Sequence, residues 1–300
     1  YGLVYPDFYL VDLNGNIINI IRNNKIDKNS TLTNPANGAC TMFRTKFLKE
    51  IGGYNERYSC QDGLDIWLRY IKKYDVSNIN IPLFYYRRHG KNLTESKDRI
   101  INERKKIINE TINYDKKLFK SLALVLVRGN KYDSIDPLKR LGKKKILDWI
   151  IEPLLKSNNI EKVLLSTIGE KIINYVKKKY KNKVLIRKRD LSLTSPNTYI
   201  NDTVNDALKF YERKNKKKLN IISIFGIENP LRKADEIDNC INMIGYFKLD
   251  SLISVTQEHD QFYYSGKNGI ENIRKSDTLT LERDFLYREV GGMRFFKKSF

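Results

Sequence analysis

SLALVLV at residues 121–127 is the stretch on which the fold turns, and it reads as a buried strand. Further strand-like runs follow: KVLLST (162–167), KVLIRK (183–188), NIISIFG (220–226) and DSLISVT (250–256). Between them lie segments with helical periodicity: KKILDWIIEPLLKS (144–157), EKIINYVKKKY (170–180), TYINDTVNDALKFYERK (198–214) and ADEIDNCINMIGYF (234–247). Strands alternating with helices build βαβ units, so residues 121–300 are expected to be α/β, a Rossmann-like parallel sheet flanked by helices on both faces. Crossovers in such units are right-handed, and ligands sit outside the carboxyl ends of the strands. Here that places a site among the loops at 128–140, after Ser166, at 187–195, at 228–232 and at 256–259.

Upstream the texture changes. GLVYPDFYLVD (2–12) alternates like a strand, Asn14-Gly15-Asn16 marks a turn, and INIIR (18–22) returns, which is a hairpin signal. Leu64, Trp67, Leu68 and Ile71 follow Asp62 at helical spacing, and INIPLFYYRRH (79–89) reads as another strand. Residues 94–120 turn charged and helical (ESKDRIINERKKIINETI at 95–112) and read as a closing helix plus linker. The expected organisation is therefore a first domain at 1–93, a helical linker at 94–120 and a second domain at 121–300. The chain opens on the strand-like YGLVYPDF and closes on the apolar RFFKKSF, so both ends read as lying within folded structure.

Composition narrows the function classes. With 41% hydrophobic and 11% aromatic residues the chain has enough apolar surface to build cores and is not disordered by composition. No run approaches the roughly eighteen apolar residues of a membrane span. Three widely spaced cysteines (Cys40, Cys60, Cys240) argue against a disulfide framework and for a reducing compartment, the cytoplasm by default. No CxxC or Cys/His cluster suggests structural zinc. The net charge of +21 suits an anionic partner. The lysine runs at 177–179 and 216–218 carry no interleaved aromatics and no nucleic-acid motif, which points to solvated faces and small anionic substrates rather than DNA or RNA.

The loop after the first strand of the second domain, RGNKYDSIDPLKRLGKK (128–144), gathers Arg128, Lys131, Lys139 and Arg140 around Gly129 and Pro137. Cations and close backbone approach are what a nucleoside triphosphate needs at this position, although a plain surface loop has similar composition. Later pieces agree in order: Arg187 with Leu191-Ser192, Pro230-Leu231-Arg232 with Ile237-Asp238, Asp250-Ser251 through Ser254-Val255, and LERDFLYREVGG (281–292). This series resembles the CMP-N-acylneuraminate synthetase family of sugar-acid cytidylyltransferases over residues 121–300. The resemblance implies attack of a sugar hydroxyl on the α-phosphate of CTP with loss of pyrophosphate. Arg128, Lys131, Lys139, Arg187 and Arg232 would bind nucleotide or substrate, Arg232 chiefly by organising its loop. It also implies Mg2+ or Mn2+, whose ligands in the family fall beyond Phe300, and it allows a homodimer. This chain departs from the family at Asn130 and Tyr132, where the family loop has small residues, and at Gly226-Ile227-Glu228-Asn229, where the family has Gln-Pro-Thr-Ser.

In the first domain, Gly52-Gly53-Tyr54-Asn55-Glu56 is followed by Gln61-Asp62 and then Trp67-Leu68-Arg69. That order resembles the C-terminal half of family 2 glycosyltransferases of the GT-A fold, so residues 1–93 are expected to be a partial α/β domain of that kind. The resemblance implies a nucleotide-sugar donor and a glycan acceptor, with Asp62 as the base for the acceptor hydroxyl. Arg87, Arg88 and His89 would stabilise the diphosphate leaving group. Asp62 or Asp65 acting only at the helix N-terminus is the competing reading. Two other readings of the whole chain stand beside a bifunctional sugar-handling enzyme: a non-catalytic nucleotide- or sugar-binding scaffold, and a basic nucleic-acid-binding protein resting on charge alone.

Overall fold

A computed structural model describes residues 1–23, 38–87, 89, 97–114, 119–129, 133, 135–215, 219–258, 260–267, 269–273 and 286–298. The chain divides into two compact units, residues 1–118 with 245–249 and residues 119–244 with 250–300.

In the first unit, β1 (Leu3–Val11), β2 (Ile17–Ile21), β3 (Met42–Phe43), α1 (Thr45–Glu50), α2 (Asp62–Tyr70), β4 (Val76–Arg87) and α3 (Lys97–Tyr114) follow in order. β1 pairs antiparallel with β2 and β3 and parallel with β4. The expected hairpin forms because Asp12 Oδ1 accepts the backbone N–H groups of Asn14 and Asn16, both at 2.8 Å, closing the turn from within. α2 buries Leu64, Trp67 and Leu68, as their spacing predicts, with Trp67 set edge-on to Tyr5 at 5.7 Å. The charged segment expected to be helical is α3. It packs on this unit: Ile107 is fully buried, Tyr58 donates to Glu110 (2.7 Å) and Arg104 to Gln61 (2.8 Å).

The second unit contains β5 (Ser121–Leu126), β6 (Arg140–Leu141), β7 (Lys144–Lys145), α4 (Ile146–Lys156), β8 (Ile160–Thr167), α5 (Glu170–Tyr180), β9 (Val184–Lys188), α6 (Ile200–Lys214) and β10 (Ile221–Phe225). α7 (Ala234–Tyr246), β11 (Ser251–Glu258), β12 (Tyr263–Gly266), β13 (Gly269–Asn272) and β14 (Leu286–Lys297) complete it. The six-stranded sheet has the order β11-β14-β10-β5-β8-β9. β10, β5, β8 and β9 are mutually parallel, so the α/β reading of the alternating strands and helices holds. One expectation is corrected. The sheet is mixed and not all-parallel, because β14 inserts between the fourth strand and the fifth, DSLISVT, antiparallel to both. β14 reads poorly as a strand because Gly291-Gly292 interrupts its apolar pattern. Gly291 has φ +63° where the pairing with β11 slips between Ile253 and Val255, a bulge that only a glycine accommodates without strain.

The chain runs outward through β5, β8 and β9, then reverses to lay β10 on the other side of β5. That pairing is pinned inside the sheet by the hydroxyls of Ser121 and Ser223, 3.0 Å apart and both fully buried. α4 and α5 are tied through Asp148, which is 2% exposed and accepts from Tyr175 (2.7 Å), Tyr180 (2.6 Å) and Lys179 (2.8 Å). Lys179 of the 177–179 run therefore belongs to a structural network.

Burial pushes the Asp148 carboxyl up, and the bonds from Lys179, Tyr180 and Tyr175 outweigh it, so its pKa lies below the ordinary 3.8. A carboxylate depressed in the folded state stabilises at pH above its unfolded pKa, and that stability is lost as pH falls through the folded value. Asp148→Ala, which strands two hydroxyls and leaves the Lys179 ammonium with Glu152 alone, is expected to cost about 3 kcal/mol in urea unfolding at neutral pH. The gap to the unmutated protein should narrow below about pH 4.

Candidate active site

One face of the sheet builds the site. Leu122 and Leu124 of β5, Leu164 of β8 and Ile222 and Ile224 of β10 pack against Val204, Ala207 and Tyr211 of α6, with Leu185 and Phe296 beside them. Side chains alternate along a strand, so the next residues on that face toward the carboxyl ends are Leu126, Ser166, Arg187 and Gly226, with Arg294 next on the antiparallel β14. Apolar packing gives way to polar groups there. Where α6 begins, at Ile200 and Thr203, a cavity of about 430 Å3 opens, lined also by Leu126, Phe225, Gly226, Glu228 and Gly291. It lies at the carboxyl ends of β5 and β10, the point where the strand order reverses.

Arg128, Arg189 and Arg294 face this cavity, together with Asp133 and Glu228. Arg189 is only 6% exposed; its Nε donates to Ser166 Oγ (3.1 Å) and its Nη2 to the Ser166 carbonyl (3.0 Å). Burial and the nearby charge of Arg128 pull its pKa down to about 10, against the opposing pull of Asp133 and Asp206, so it stays charged at neutral pH. The Arg128 side chain has no hydrogen bond or ion pair among the described residues, whereas its backbone N–H donates to Asp133 Oδ1 (3.1 Å). The next N–H, of Gly129, donates to Asp133 Oδ2 at 2.5 Å. Gly129 has φ +78°, and a Cβ there would lie 2.6 Å from Thr167 Oγ1 and 2.7 Å from the Gly169 nitrogen. Arg294 is paired with Glu289. Glu228 has no hydrogen bond among the described residues.

The residues singled out from sequence fall in different places. Arg128 lines the cavity. Lys131 lies outside the described residues. Lys139 is exposed, and its carbonyl accepts from Ile146 (3.0 Å), which places it at the loop's hairpin and not among the lining residues. Arg187 is occupied by a two-point pair with Asp206 of α6 at 2.9 and 2.8 Å. Arg232 donates to the Gly226 carbonyl (2.7 Å) with its guanidinium over the Phe225 ring, organising the loop; its Nε and Nη1 have no partner among the described residues. Arg189, Asp133, Glu228 and Arg294 were not singled out. Arg189 was within reach of the alternation argument: it lies two residues beyond Arg187, just past the end of β9 and about 6.6 Å further along.

In the first unit, Asp62 is exposed at the start of α2. Neither acid caps the helix: the N-cap is Gln61, whose side chain makes no capping bond, and Asp65 is buried against Arg69 at 2.6 Å. Arg69 also donates to the Gly53 carbonyl (2.7 Å), holding the 52–56 turn beside a cavity of about 760 Å3 that Asp62 does not line. Burial, then the Asp62 charge, raises the pKa of Tyr54. Arg87 and His89 are exposed, and Arg88 lies outside the described residues.

Residues 136–280 match the cytidylyltransferase family. This part of the chain is therefore similar in sequence to the cytidylyltransferase family. The match takes in Arg189 and Glu228 but begins after Asp133, and it leaves residues 1–135 uncovered. No curated protein matches in sequence. Among solved structures, a 4-diphosphocytidyl-2C-methyl-D-erythritol synthase is similar at 11% identity and TM-score 0.45, over 60% of this chain and 76% of that one. A CMP:2-keto-3-deoxy-manno-octonic acid synthetase complexed with CTP has 11% identity and TM-score 0.43, over 60% and 75%. The 4-diphosphocytidyl-2C-methyl-D-erythritol synthase of Anaerococcus prevotii DSM 20548 has 14% identity and TM-score 0.43, over 60% and 71%. No described helix is long and apolar enough to cross a membrane.

Because Gly129 combines a left-handed backbone with backbone contact, Gly129→Ala is expected to lower the thermal midpoint, by about 2–3 kcal/mol equivalent. It should also disturb the cavity. An alanine at Gly142, where φ is +61° but nothing lies within 4 Å, should cost less in the same melt.

Proposed function

We propose that the second unit transfers a cytidylyl group from CTP to a hydroxyl of an acylneuraminate-like sugar acid. The observation that carries this is a buried, charged Arg189 beside Arg128, whose side chain has no partner among the described residues, at the reversal point of the sheet, inside or next to the span that matches cytidylyltransferases. Guanidiniums fixed in a partly buried cleft neutralise phosphate oxygens more strongly than they do in water. In the reaction the sugar oxygen bonds to the α-phosphorus, the bond from that phosphorus to the bridging oxygen breaks, and pyrophosphate leaves. Glu228, the cavity carboxylate free of hydrogen bonds among the described residues, takes the hydroxyl proton. The helix α6 start and Leu126 close the apolar side of the cleft, where a base and sugar ring would rest.

The family implies Mg2+ or Mn2+. Among the described residues no three His, Cys, Asp or Glu groups converge as a ligand set, and Asp133 already accepts two backbone N–H groups. The described side chains of the cavity therefore offer no set that fits such a cation. The free thiols suit a reducing cytoplasm, and a homodimer is the assembly this reading expects, to be measured by sedimentation.

For residues 1–93 the proposal is glycosyl transfer from a nucleotide sugar to a glycan acceptor, with Asp62 as base. It is favoured by an exposed carboxylate presented at a helix start, engaged in neither a cap nor an ion pair among the described residues. Asp62→Asn should abolish transfer while leaving pyrophosphate release unchanged.

Pyrophosphate release from CTP, with a divalent cation and a panel of sugar acids, is the direct assay. Arg189→Ala and Arg128→Ala are each expected to lower kcat/KM by about 10²–10³. Binding of CTP with no pyrophosphate release from any acceptor would favour the scaffold reading. Steeply salt-dependent binding of DNA in place of CTP would favour the nucleic-acid reading.

A further inference from the structure

We propose that Asp133 is a built-in counter-ion that occupies the phosphate cradle of the β5 loop and competes with the nucleotide for it. The inference rests on the cavity being a nucleotide site. Two consecutive N–H groups, of Arg128 and Gly129, converge on the Asp133 carboxylate at 3.1 and 2.5 Å, and the left-handed backbone of Gly129 is what turns them to one side. Such a concave pair of N–H groups is a general anion receptor, as ready for a phosphate oxygen as for a carboxylate. The same carboxylate faces the cavity with Arg128 and Arg189.

Without an anion these two guanidiniums would repel each other across the cavity. Ser166, which holds Arg189, supplies only neutral oxygens. The Asp133 charge is the first to oppose the combined effect of burial and Arg128 on Arg189. Asp133 thus does in the empty pocket what a triphosphate would do in the filled one. An incoming phosphate must either displace the carboxylate from the N–H pair or remain beside a like charge, and both weaken binding. A loop-bracing role alone makes the opposite demand: removing Asp133 would loosen the cradle and weaken anion binding.

The test is calorimetric binding of inorganic tripolyphosphate and of CTP to the intact protein, comparing the unmutated chain with Asp133→Asn and Asp133→Ala. Asp133→Asn removes the charge with little change in shape, and Asp133→Ala removes the competing oxygens as well. Both are expected to bind tripolyphosphate about tenfold tighter or more, since a charge-assisted hydrogen-bond pair no longer has to be broken. Circular dichroism and thermal melts identify which variants are folded. Equal or weaker tripolyphosphate binding in the folded variants overturns the proposal. The two readings fail separately. Tighter tripolyphosphate binding without any preference for CTP keeps the counter-ion and sinks the cytidylyl assignment. Undiminished CTP turnover with unchanged affinities does the reverse.

Discussion

Arg189 is a cation held almost wholly out of water by neutral partners. Burying a guanidinium costs several kcal/mol unless charge compensates it, and its direct hydrogen bonds go to a hydroxyl and a carbonyl of Ser166. Its compensation comes from Asp133 and Asp206 at longer range, against a second cation, Arg128. The residues around the cavity follow from this imbalance. Asp206 is claimed by Arg187, and Asp133 is anchored to two backbone N–H groups. A site so constituted has a standing demand for negative charge.

The sheet makes that arrangement possible. The return of β10 to the open edge of β5 leaves the loops after the two strands diverging from each other, and the space between their carboxyl ends is the cavity. The parallel pairing of β5 with β10 and β8 brings Leu126, Gly226 and Ser166 to similar heights. The bulge at Gly291 lets β14 bring Arg294 to the same cavity. Close approach of Gly129 to Thr167 and Gly169 then fixes the height of the β5 loop above β8.

Much of the second unit was legible in the sequence, because helices and buried parallel strands have distinct periods and the segments are short and well separated. The place of β14 was not. A strand that inserts antiparallel between two others leaves no local mark, and its two adjacent glycines disguise it further. Site residues were legible only as far as loop membership. The loops after β5, β9 and β10 do line the cavity, but sequence could not choose between Arg187 and Arg189, two residues apart. The choice depends on Asp206, which meets Arg187 only after α6 has packed. Arg232 shows the converse: it was expected chiefly to organise its loop, and its guanidinium donates to the backbone carbonyl of Gly226.

The most direct test is a structure of the protein soaked with CTP. Phosphate density within hydrogen-bonding distance of Arg128 and Arg189, at the carboxyl ends of β5 and β10, is the predicted result. Nucleotide found elsewhere, such as in the cavity beside Gly52–Tyr58, with the Arg189 guanidinium still bonded to Ser166, would contradict the account.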